Sequence, residues 1–229
     1  MNIAEKLLKI ADNVQKNVEF GKSQGGGGDL TQNPLYYARM LNSAWGDVTF
    51  PEEFEFVLEG NTIASVNGVL MRTKGIKKAT FIHASGGKID MNQFIRESSV
   101  QVLDLTQFAL KPSKMNYFAL SSTALVSILG ELDMSECTTA SFAFSGANAL
   151  QDIRFKEGTI SIALDFKSCT KLSSESYDSI MQGLSTTATG QTLTLPAYAT
   201  VKATYDAKYG EGSWDILAAS KTNWTIAYS

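Results

Sequence analysis

Ala124-Leu125-Val126-Ser127-Ile128 returns as Ala149-Leu150-Gln151-Asp152-Ile153, at an offset of 25. Just upstream, Phe118-Ala119-Leu120-Ser121 returns as Phe142-Ala143-Phe144-Ser145, at an offset of 24. A second family sets an aliphatic residue, an aspartate and an apolar residue in a row: Ile89-Asp90-Met91, Leu103-Asp104-Leu105, Leu132-Asp133-Met134 and Leu164-Asp165-Phe166. In the last two a cysteine follows four residues after the aspartate, at Cys137 and Cys169. Apolar centres recur at Leu58, Phe81, Leu103, Ile128 and Ile153, in steps of 23, 22, 25 and 25. One unit of this length cannot cover its own apolar strand face, so successive units must stack and share a core.

The period therefore predicts an α/β, leucine-rich-repeat solenoid: short parallel strands stacked on one face, irregular or short helical returns on the other, an N-terminal helix and capped ends. In the return through Ser141-Phe142-Ala143-Phe144-Ser145-Gly146, small residues allow a tight bend with both phenylalanine rings pointing inward. A further strand, Gln191-Thr192-Leu193-Thr194-Leu195, follows a longer insertion.

Residues 1–24 read as an amphipathic helix. Ile3, Leu7, Ile10 and Val14 fall on one stripe, while Lys6, Lys9, Asp12, Lys16 and Glu19 fall off it. Such a helix is marginal alone in water, so the stripe is a candidate for self-association as a short coiled coil or for docking on the body, the alternative being a frayed helical tail. Residues 25–29, with Gly25-Gly26-Gly27-Gly28, form a flexible linker. Residues 30–229 form the repeat domain, with an N-terminal cap over 30–53 and a C-terminal cap over 196–229. Asn33-Pro34 is a helix start in the first cap. In the second, residues 198–209 line up Val201, Tyr205 and Tyr209 before Gly210 and Gly212 break the helix. A short helical turn over 215–220 and a closing edge strand from Trp224 complete it.

Composition excludes several functions. A net charge of −3 over 229 residues supplies no basic stripe for nucleic acid or an anionic membrane surface. No apolar run approaches the roughly 18 residues needed to span a bilayer. The charged start Met1-Asn2-Ile3-Ala4-Glu5-Lys6 predicts a protein made in the cytoplasm without a signal peptide. Gly21-Lys22-Ser23 imitates the end of a phosphate loop, but the first glycine of that motif would fall at Lys16. Gly21-Lys22-Ser23-Gln24-Gly25 fits a nucleophile elbow only formally, since it follows a helix. His83 stands without a nucleophile at motif spacing. Asp90, Asp104, Asp133 and Asp165 are read as a solvent-facing ladder tempered by Arg154, Lys156 and Lys167, with no calcium-loop spacing. Cys137 and Cys169, at equivalent repeat positions, are expected to be buried free thiols. The sequence thus offers no catalytic, cofactor-binding or metal-binding residues, and the expectation is a protein that is not an enzyme and takes no cofactor.

Leu150-Gln151-Asp152-Ile153-Arg154-Phe155, Leu164-Asp165-Phe166-Lys167-Ser168-Cys169-Thr170-Lys171-Leu172 and Phe142-Ala143-Phe144-Ser145-Gly146 resemble BspA-like leucine-rich repeats. Ala147 stands where that class usually has cysteine. The chain is similar to prophage-encoded repeat proteins of gut Firmicutes, which pair an opening helix like Met1–Leu7 with a few repeats and a closing segment like residues 219–227. The resemblance implies a prophage structural or accessory protein, virion-associated, with a protein or glycan bound on the solenoid surface. The alternative is an intracellular host-interaction adaptor or effector acting as a monomer.

Overall fold

The computed structural model describes residues 52–58 and 64–229. The expected helical arm with its stripe of Ile3, Leu7, Ile10 and Val14, the glycine linker and almost all of the 30–53 cap lie outside these residues. Five parallel strands form the first sheet: β1 (Glu53–Val57), β2 (Lys78–Asp90), β3 (Val102–Lys114), β4 (Ser127–Leu132) and β5 (Asp152–Phe155). They stand in sequence order, so each turn of chain lays one strand beside the last. Further along, β6 (Leu164–Asp165), β7 (Gln191–Leu195) and β8 (Trp224–Tyr228) make a second, three-stranded parallel sheet. The chain is a solenoid of parallel strands.

The register corrects the spacing of the first coils. Phe54 aligns with Ala79, Ala79 with Leu103, and Leu103 with Ile128, so the step is nearly constant from the first strand onward. Phe81 aligns with Phe56, two residues beyond the alanine that matches Leu103. Leu58 and Phe81 stand on different rungs from Leu103, because an alanine occupies the equivalent core position in β2.

A column of aromatic rings fills the interior. Phe56 stacks on Phe81, Phe81 meets Phe94 edge-on, and Phe94, Phe118, Phe144 and Phe166 follow with centroids 4.7–5.9 Å apart. The last four have no exposed surface. Rings spaced near the strand repeat pack face and edge without gaps, which suits a core that grows only along one axis.

The returns share one backbone device. Each carries two residues in the left-handed region, four apart: Gly68 and Arg72, Gln93 and Glu97, Tyr117 and Ser121, Phe142 and Gly146. Between these returns, alternate N–H groups donate across the coils, for instance Tyr117 to Ser141 O and Ser121 to Ser145 O. The others close short i−3 turns. This equivalence pairs Phe142 with Tyr117, not with Phe118. The expectation of two inward rings is therefore wrong for Phe142, which is 53% exposed, while Phe144 is fully buried.

The longer insertion is a helix, α1 (Ser174–Gly183), which sits where a sixth strand would have paired with β5. Ser176 Oγ accepts from Ile153 N–H at 3.0 Å and Ser179 Oγ from Phe155 N–H at 2.9 Å. Two hydroxyls thus replace the carbonyls of a missing strand and close the sheet edge. Gly183 is required beside them, since a Cβ there would lie 2.9 Å from Phe155 Cβ. Two more helices follow, α2 (Tyr198–Tyr209) and α3 (Ser213–Ala219). Asp206 joins them, accepting from Gly212 N–H, Trp214 N–H and Lys202 Nζ. Buried Trp214 packs between Tyr177 and Tyr205 and donates to the Tyr228 hydroxyl.

Candidate functional site

Three ladders run along the first coils and end together at the fourth. The first is amide: Asn92 Oδ1 accepts from Asn116 N–H at 2.7 Å, and Asn116 Oδ1 from Ser141 N–H at 2.8 Å. Ser141 has no amide to pass on. The second is a buried hydroxyl row of Thr73, Ser98 and Ser122, in which Thr73 and Ser98 share a 2.7 Å bond and Ser122 donates to Ile95 O. Ala147 occupies the next equivalent place. The third is the row of return N–H groups. Tyr117 and Ser121 donate to the fourth return, whereas the N–H groups of Phe142 and Gly146 find no acceptor among the described residues.

The chain explains the break. The next return closes as the others do, with Cys169 N–H to Phe166 O and Leu172 N–H to Cys169 O matching Ala147 to Phe144 and Leu150 to Ala147. It lacks the left-handed pair, however: no residue from 159 to 189 has positive φ. The strands β4 and β5 still pair across these two coils on the other face. Between residues 138–142 and 162–165 the stack instead opens as a groove of about 470 Å³, with Gln191, Thr192 and Thr194 of β7 on its far side. Its floor includes Ala140 and Leu164, both buried. The Thr138 and Thr139 hydroxyls turn back to the third coil, donating to Ser113 O and Asn116 Oδ1. The side chains of Ser141, Gln191, Thr192 and Thr194 make no hydrogen bond to described residues.

Phe142 stands at the rim. Its ring lies nearly parallel to that of Tyr117, at 6° and 5.7 Å, and the Arg96 guanidinium sits 6.0 Å from the Tyr117 centroid. The two aromatic residues hold positive φ, 58° at Tyr117 and 56° at Phe142, a region that bulky side chains rarely adopt. A second, smaller hollow of about 380 Å³ lies at the bulged corner of β2 and β3, against Phe108.

The chemistry expected from other residues is spent on the fold. The four aspartates do not make a ladder: Asp90 aligns with Lys114, Asp104 with Leu129 and Asp165 with Thr194. Nor are they solvated as expected, for the Asp104 and Asp133 side chains are only 13% and 16% exposed. What they share is local: each accepts a hydrogen bond from the backbone N–H two residues on, at Asn92, Thr106, Ser135 and Lys167. Burial opposes the charge on Asp133, but Ser135, Lys156 and Lys111 outweigh it and hold its carboxyl well below the usual range.

Cys137 and Cys169 are free and buried, though not equivalent. Cys169 takes the rung of Ala147 and donates its Sγ to Phe144 O at 3.6 Å, whereas Cys137 caps a short 3-10 turn. Burial pushes their thiols up to about 11 and about 12, which keeps them protonated and inert. His83 is buried, with Nδ1 2.8 Å from Ser85 O.

Among the described residues no cluster of His, Cys, Asp or Glu could hold a metal ion, and no helix is long and apolar enough to cross a membrane. Sequence reasoning missed Tyr117 and Phe142. The signal was present in the step from Asn116 to Ser141, which the pair Ser121 and Gly146 repeats. Compared with protein-family models, curated proteins and solved structures, the chain matches none.

Proposed function

We propose that this chain is a non-enzymatic ligand-binding repeat protein, of the BspA-like leucine-rich type carried by prophages, and a structural or accessory component of a phage particle. The observation that carries the binding function is the simultaneous end of three ladders at the fourth coil. A solenoid that breaks its own stacking there leaves a groove with unspent polar side chains, where continuous coils would have left a closed surface. The repeat aspartates hold turns and both thiols are buried, which supports recognition as the role of this surface. The helical arm, through Ile3, Leu7, Ile10 and Val14, assembles copies or docks them, and the glycine linker gives reach.

Detection of the protein in particles purified after prophage induction supports the particle role. A cytosolic pool with none in particles overturns it in favour of a monomeric host-interaction adaptor. Light scattering of the full chain tests the arm: Leu7→Glu with Ile10→Glu should dissociate the assembly, and equal mass for both proteins would refute self-association.

A further inference from the structure

We infer that the groove between residues 138–142 and 162–165 is a subsite for a neutral glycan, with Phe142 as its stacking surface, supported by the Tyr117 ring. The inference rests on the ligand-binding reading above and names the ligand class.

The platform is doubly unfavourable without a ligand. The fold demands positive φ at this place in every return, and Gly68 and Gln93 meet that demand in the first two. Glycine or asparagine would satisfy it with least strain. The third and fourth returns carry Tyr117 and Phe142 instead, and expose 38% and 53% of them to water. Local strain together with exposed apolar surface is an outlier that folding does not need, and such outliers concentrate at functional sites. The two rings form a parallel, offset stack 5.7 Å between centroids, so Tyr117 supports one face of Phe142 and Phe142 is the more exposed of the pair.

The groove beside that face selects the chemistry. The free side chains of Ser141, Gln191, Thr192 and Thr194 are hydroxyls and an amide, able to donate and accept at once. Its single carboxylate, Asp165, is met by Lys167 through the backbone N–H at 2.9 Å and by the ammonium at 3.4 Å. No uncompensated charge remains to hold a phosphate, a nucleic acid or a strongly charged peptide. A sugar ring has the complementary form: one face of C–H groups to lie on an aromatic ring, and a rim of hydroxyls to exchange with Ser, Thr and Gln. A peptide strand would require side-chain pockets at alternate positions. The groove instead has a shallow floor of Ala140 and Leu164.

The test is calorimetric titration of the full chain with three neutral probes: cellotetraose, maltotetraose and tetra-N-acetylchitotetraose. At least one should bind in the millimolar range or tighter, about −4 kcal/mol or better. Phe142→Asn and Thr192→Ala should each weaken that binding by tenfold or more, while Ile216→Ser, on the exposed face of α3, leaves it unchanged. Thermal melting separates a binding role from a structural one. Phe142→Asn should melt no lower than the parent, because asparagine tolerates the left-handed backbone. Lack of binding by all three probes overturns the proposal, as does undiminished binding by Phe142→Asn or a melting point well below the parent's. Phe142-dependent binding to a peptide array without sugar binding also overturns it, yet leaves the binding function standing. Failure of both sugars and peptides removes the binding function too.

Discussion

The third and fourth returns of the solenoid have the same backbone and opposite fates. Each holds a left-handed pair four residues apart, Tyr117 with Ser121 and Phe142 with Gly146. Each puts one phenylalanine inward, Phe118 and Phe144, and one aromatic ring outward. The N–H groups of the third donate into the fourth, while Phe142 and Gly146 in the fourth meet no described acceptor. The difference shows what ends a repeat stack. A coil stays closed while its neighbour repeats its conformation, and its edge is left open where the neighbour does not. β5 meets the same situation at the end of the first sheet and receives α1, whose serines close the edge.

The largest effect should separate the inner ring of the fourth return from the outer one. Phe144→Ala removes a fully buried ring between Phe118 and Phe166 and should cost about 3–5 kcal/mol in urea unfolding. Phe142→Ala should stay within about 1 kcal/mol of the parent, since that ring is half exposed. Similar losses at both positions would break the distinction between core and platform.

The closed edge comes next. Ser176→Ala together with Ser179→Ala strands the N–H groups of Ile153 and Phe155 and should cost about 1–3 kcal/mol for each group. A double variant as stable as the parent would mean that the helix closes β5 by packing alone.

Gly146→Ala should cost about 1–2 kcal/mol, because it places a Cβ at φ +78°, 3.2 Å from Ser121 Cα. Ser121 already adopts this conformation in the third return, so Ser121→Gly is the matched control and should not destabilise.

The smallest effect concerns acid. Hydrogen bonds from Lys202 and from the Trp214 and Gly212 backbone hold Asp206 down at about 2, and Lys208 holds Glu175 down at about 2. Both carboxyls titrate lower in the folded protein than in the unfolded chain, where they lie near 4. Their contribution is therefore complete above about pH 4 and is lost as pH falls towards about 2. The difference in melting temperature between the parent and Asp206→Asn should be largest near neutrality and vanish near pH 2. A difference that does not change with pH would contradict that linkage.

The solenoid was legible in the sequence because burial imposes it. Ile128 and Ile153 must occupy the same rung, and their neighbours repeat with them. The period was blurred where Ala79 stands in a core place and gives no apolar signal. Phe142 was misplaced for a related reason. Aligning Phe118 with Phe142 joins two identical letters, but the backbone sets Phe118 against Ala143 and moves the inward ring to Phe144. The groove was not legible at all, for it depends on the return after Phe142 and Gly146 lacking the left-handed pair. The cap was plainer, since Gly210 and Gly212 end α2 where the helical spacing of Val201 and Tyr205 runs out.

Amide hydrogen exchange followed by NMR addresses the broken stack most directly. Tyr117 and Ser121 N–H should exchange about a hundredfold or more slowly than Phe142 and Gly146 N–H, because only the first pair is bonded into the next coil. Equal protection of all four would contradict the account, since the fourth return would then be as closed as the third.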